Sequence, residues 1–103
     1  MLPEAPGYDG AMADVVARRY LVSGRVQGVG FRYFVEKHAS LLGVAGWVRN
    51  LDDGRVEVHA QGPPEQLVEF EGRLWQGPRM AGVRGVEVKE APMLQYGGFR
   101  IHL

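Results

Sequence analysis

From Val15 onward the apolar residues follow first one period and then another, and the alternation orders the elements. Val15-Val16-Ala17 and then Tyr20-Leu21-Val22-Ser23-Gly24-Arg25-Val26 read as a long, mostly buried strand. After Gln27-Gly28-Val29-Gly30, the residues Phe31, Phe34, Val35, His38, Ala39 and Leu42 fall at helical spacing, and Gly43 supplies a stop. Residues 44–50 form a second strand, and Leu51-Asp52-Asp53-Gly54 carries the Asp-Gly hairpin signal. Residues 55–61 then alternate, with Val56, Val58 and Ala60 toward the core and His59 on the polar side of the sheet, facing solvent or held in strand pairing. A second helix starts at Pro63-Pro64-Glu65, where proline and an acid suit a helix start, and Leu67, Phe70 and Leu74 are its apolar stripe. Gly77-Pro78 ends it, residues 83–89 are a fourth strand, and residues 99–103 supply a short fifth. The order β-α-β-β-α-β predicts an α+β, ferredoxin-like sandwich: an antiparallel sheet with two helices on one face. Trp47, Trp75 and the phenylalanines read as core or partly buried anchors.

Residues 1–14 show no hydrophobic period and contain Pro3, Pro6, Gly7 and Gly10, so they read as a flexible N-terminal extension to a domain spanning 15–103. Topology within that domain gathers distant residues. Strand, helix and strand in succession make a crossover, so strands one and two run parallel and end at one edge of the sheet, where the first helix must begin. Residues 24–30, Arg32 and Asn50 therefore meet there, and ligands of parallel-strand units commonly bind at such an edge.

Composition narrows the chemistry. With 46% hydrophobic and 23% charged residues the chain is neither disordered nor a coiled coil. It has no cysteine, which removes disulfides, thiolate metal sites and cysteine nucleophiles. No apolar run is long enough to span a membrane, and Met1-Leu2-Pro3-Glu4 lacks a signal-peptide pattern, so a complete, cytoplasmic protein is expected. The formal net charge of zero hides an uneven distribution: between Arg18 and Arg55 seven cations face only Glu36, Asp52 and Asp53, a net of +4. A small anionic ligand fits that balance, and so does a merely solvated basic face.

The two helix starts differ. The second has proline and Glu65; the first has no Ser, Thr, Asp or Asn, and its earliest acid is Glu36. Its terminal N–H groups are left without a side-chain cap. Arg32, in the first turn, places a cation at the positive end of the helix dipole, a cost of roughly 0.3–1 kcal/mol. An anion seated in the glycine loop would offset that cost, because amides and a guanidinium together make a phosphate site. A plain glycine turn with Arg32 in solvent is the competing explanation. Asn50 is either a turn residue opening the 51–54 hairpin or a neutral amide that orients water beside a bound phosphate without repelling it.

These same residues resemble the signature of the acylphosphatases, small ferredoxin-like hydrolases. The resemblance rests on Val22-Ser23-Gly24-Arg25-Val26-Gln27-Gly28-Val29-Gly30-Phe31-Arg32, on Gly43-Val44-Ala45-Gly46-Trp47-Val48-Arg49-Asn50, and on Asp53-Gly54-Arg55-Val56-Glu57. It covers about residues 17–103 and includes Gly62 and the 99–103 ending. It implies that Arg32 binds phosphate, that Asn50 orients the attacking water, and that Arg25, Val26, Gln27, Gly28, Val29, Gly30 and Phe31 form the phosphate-cradling loop. It further implies hydrolysis of the carboxyl–phosphate bond of acyl phosphates, with no metal and no cofactor, to a carboxylate and inorganic phosphate. The expected partners are this small-molecule substrate and its phosphate product, with no nucleic acid or membrane, and the protein acting as a monomer.

The competing classes are weaker. His38, His59 and His102 lack metal-ligand spacing, no Lys-Ser/Thr follows the glycines as in a P-loop, and the only serines are Ser23 and Ser40. His38, on the apolar stripe, reads as a packed or half-exposed histidine. RNA-binding domains share the element order but stack bases on strand aromatics, which residues 55–60 lack. A non-catalytic, anion-binding accessory module of the same fold is the alternative to an enzyme.

Overall fold

A computed structural model describes residues 15–95 and 97–103. The expected extension over residues 1–14 lies outside the described residues. Strand β1 (Val16–Arg25) precedes helix α1 (Phe31–Leu41), and β2 (Ala45–Asn50) and β3 (Val56–Gly62) form a hairpin. Helix α2 (Pro64–Gln76), β4 (Gly82–Glu90) and β5 (Phe99–Ile101) follow. The five strands make one sheet in the order β4-β1-β3-β2-β5.

Strand β3 lies at the centre and pairs antiparallel with β1 and β2, so those two are mutually parallel and end at the same edge. Strand β4 adds antiparallel to β1, whereas β5 adds parallel to β2, with Gly46 opposite Phe99. The sheet is therefore mixed: its ferredoxin-like four strands are antiparallel, and the fifth extends them in parallel. A three-residue strand has no pattern that fixes its direction; here the Gly46 N–H to Gly98 carbonyl bond (3.0 Å) and the His102 N–H to Val48 carbonyl bond (2.8 Å) set it.

Period-2 alternation on β3 and the helical stripes converge on one cluster. Val56, Val58 and Ala60 meet Tyr20 and Val22 of β1, Val35 and Ala39 of α1, and Leu67, Phe70 and Leu74 of α2. Both helices thus cover the same face. Burying each large side chain in this set contributes roughly 1.5–3 kcal/mol. Tyr20 stacks edge-on against Phe70 at 5.7 Å, and burial pushes its phenol up to about 12.

On the opposite face His59 takes the second of its two expected settings, held in strand pairing opposite Arg19 of β1 and Trp47 of β2. Rather than facing solvent, His59 is only 4% exposed, and so is Glu57. Trp47 covers the imidazole, stacked at 5.8 Å, and itself stacks on His102 at 5.2 Å. Burial holds the His59 imidazole below its ordinary value. Glu57 accepts hydrogen bonds from Arg19 Nε and Arg49 Nε, joining β1, β3 and β2 through one carboxylate. Burial pushes that carboxyl up, but the two guanidinium groups outweigh it and hold it below its usual range. Trp75 is 47% exposed, so it is a surface residue rather than an anchor. His38 is half-buried, its ring tilted against Phe34 at 4.2 Å and bonded through Nδ1 to Arg73.

Close strand approach explains one glycine. Gly46 lies at φ +145° on β2, and a Cβ there would overlap the His59 carbonyl of β3.

Candidate active site

Where β1 and β2 end, the chain turns through Gly28 and Gly30 at φ +74° and +78°, left-handed values that favour glycine. A Cβ at either would meet nothing within 4 Å, so conformation rather than crowding requires glycine here. Gly30 is the N-cap of α1 and offers no side-chain cap, and the first turn holds no acid. The helix therefore begins with free amides and Arg32 beside them.

Val26, Gly28, Gly30, Phe31, Arg32, Tyr33 and Asn50 line one cleft of about 90 Å³. No carboxylate is among these lining residues. Phe31 and Val26 are buried and belong to the core cluster, so the cleft stands on packed residues. Asn50 is the last residue of β2, and its buried Oδ1 has no hydrogen-bond partner among the described residues. A buried carbonyl oxygen without a donor costs about 1–3 kcal/mol, which a structure tolerates where a ligand or water supplies the donor. Among the described residues Arg32 makes one long contact, Nη1 to the His102 carbonyl at 3.5 Å, which leaves the rest of its guanidinium fork without a partner there.

The structure thus brings Arg32, Asn50, Val26, Gly28, Gly30 and Phe31 to the lining of one cleft and leaves the side chains of three other loop residues outside it. Arg25 is exposed at the end of β1, opposite Gly82 of β4. Val29 packs against the core. Gln27 turns away and donates from Nε2 to the carbonyls of Leu51 (2.8 Å) and Arg55 (2.9 Å). It staples the loop to the turn that follows Asn50, so it supports the cleft without lining it. Tyr33, by contrast, lines the cleft and carried no signal in the sequence, since a tyrosine off the apolar stripe of a helix reads as surface.

A glycine loop at a helix start, a guanidinium beside it and a buried amide at a parallel-strand edge define an α+β sandwich whose cleft suits a small anion. Comparison with known proteins narrows this class. The acylphosphatase family model matches residues 18–101. An acylphosphatase of Solibacter usitatus is 54% identical over 91 residues, 88% of this chain and 95% of that one. The acylphosphatase of Coxiella burnetii superposes with a TM-score of 0.85 at 37% identity, covering 89% of this chain and 97% of that one. The Bacillus subtilis acylphosphatase gives 0.82 at 43% identity, covering 85% and 99%. The chain belongs to the acylphosphatase family and is a hydrolase of acyl phosphates. Among the described residues no helix is long and apolar enough to cross a membrane, and no three His, Asp or Glu side chains gather as metal ligands.

Proposed function

We propose that the cleft binds the phosphoryl group of an acyl phosphate, with Arg32 and the amides of residues 28–31 on its oxygens and Asn50 orienting the attacking water. The observation that carries this reading is that one cleft is lined by Arg32, the glycine loop and an Asn50 amide whose buried oxygen lacks a partner among the described residues. An acyl phosphate is a mixed anhydride with a good leaving group, so positioning and charge stabilisation do most of the work. Water attacks phosphorus in line, and the P–O bond to the acyl group breaks with its electron pair remaining on the departing carboxylate. The water's proton passes to the substrate's own phosphate oxygen. Because the acyl leaving group needs no protonation, neither a metal nor a cofactor enters the scheme. The protein works as a cytoplasmic monomer on a small-molecule substrate, without nucleic acid.

Inorganic phosphate as a competitive inhibitor separates the two roles. Asn50→Ala keeps phosphate inhibition while turnover falls about a hundredfold or more, since the water loses its orientation. In Arg32→Ala phosphate inhibition disappears together with turnover, and Arg32→Lys restores neither fully because the ammonium lacks the planar fork. Undiminished phosphate inhibition in Arg32→Ala would contradict the assignment.

A further inference from the structure

The cleft is small, about 90 Å³. In an acyl phosphate the carbonyl carbon is one oxygen away from phosphorus, so with the phosphoryl group seated among Arg32, the glycines and Asn50 the substituent on that carbon lies toward the rim.

The lining residues leave little choice about what it meets there. Val26 and Phe31 are 1% and 2% exposed and form the floor, the two glycines have no side chain, and Arg32 and Asn50 are polar. Tyr33 is the remaining wall and is 70% exposed. It follows Arg32 in the first turn of α1, off the stripe of Phe31, Val35 and Ala39 that enters the core. Among the described residues it makes no hydrogen bond, ion pair or ring contact. Its ring is therefore carried on a helix at the mouth of the cleft and is largely open to solvent.

We propose that Tyr33 forms the acyl-group subsite, its ring packing against the substituent on the substrate carbonyl and favouring aryl acyl phosphates over small aliphatic ones. The proposal rests on the phosphoryl group lying in the cleft as described above. The contact is between apolar faces, so the phenol hydroxyl is dispensable and Tyr33→Phe retains it. An aromatic pair beyond its buried area corresponds to a discrimination of roughly 2- to 12-fold.

The test compares kcat/KM for benzoyl phosphate and acetyl phosphate in the wild type, Tyr33→Ala and Tyr33→Phe. The benzoyl-to-acetyl ratio is expected to fall about 2- to 12-fold in Tyr33→Ala and to recover in Tyr33→Phe. An unchanged ratio in Tyr33→Ala overturns the proposal. So does an equal fall in Tyr33→Phe, which would assign the effect to the hydroxyl. Wild-type protein that hydrolyses neither substrate overturns the phosphoryl-site reading itself and the Tyr33 subsite with it, an outcome distinct from the other two.

Discussion

Removing the amide of Gln27 tests whether the cleft is preorganised by the contact across its base. Gln27→Leu keeps most of the side-chain bulk and deletes both donor bonds, to the Leu51 and Arg55 carbonyls at 2.8 and 2.9 Å. Neither carbonyl is orphaned, because Leu51 O still accepts from Gly54 N–H and Arg55 O from Leu51 N–H. The loss is then the net value of two neutral hydrogen bonds, about 1 kcal/mol each, without a desolvation penalty on top. A total near 2 kcal/mol corresponds to a melting temperature lower by roughly 8–16 °C for a domain of this size. The functional effect follows from geometry. The staple fixes the loop against the strand end that carries Asn50, and a displacement of about 1 Å at such a site costs on the order of a hundredfold in rate. Urea unfolding and steady-state acyl phosphate hydrolysis on the same preparations read both quantities. A stability loss near 2 kcal/mol with kcat within twofold of wild type would refute the idea that this staple positions the site. Unchanged stability would refute the bookkeeping itself.

Three other perturbations have defined outcomes. Glu57→Gln removes the charge that Arg19 and Arg49 share, and because those side chains are 39% and 47% exposed the cost is discounted from the buried-pair range to about 1–3 kcal/mol at pH 7. Since the folded-state value of Glu57 lies below its usual 4.5, the stabilisation is present above that value and is lost as pH falls through the depressed one. Urea unfolding from pH 7 to 3 should show the wild-type advantage shrinking toward the acid end, and a pH-independent difference would contradict the ion-pair account. Gly46→Ala forces a Cβ onto the His59 carbonyl at positive φ and should cost roughly 2–6 kcal/mol, visible as loss of soluble, folded protein by circular dichroism. The Tyr33 variants should change substrate preference, read from the benzoyl-to-acetyl ratio.

Periodicity made both helices legible because each buries one face, and the stripe of Leu67, Phe70 and Leu74 is the same in sequence and structure. The uncapped start of α1 was equally visible, since the absence of an acid or hydroxyl residue is a local fact. Residues whose partners are remote in sequence were not. Glu57 and His59 alternate as solvent-facing residues should, yet Arg19, Arg49 and Trp47 fold over them from neighbouring strands. Gln27 reads as one more loop residue until its reach to Leu51 and Arg55 is known. The parallel direction of β5 depends on hydrogen bonds to β2 that three residues cannot announce. Tyr33 was hidden for the opposite reason: among the described residues it has no hydrogen-bond, ion-pair or ring partner, and only the cleft beside it gives its exposure meaning.

The most direct test of the account is hydrolysis of benzoyl phosphate by the purified protein in excess chelator, beside Arg32→Ala and Asn50→Ala. The account predicts metal-independent turnover by the wild type, with at least a hundredfold loss in each variant while all three remain folded. Turnover that collapses with chelator, or that survives in Asn50→Ala, would contradict it.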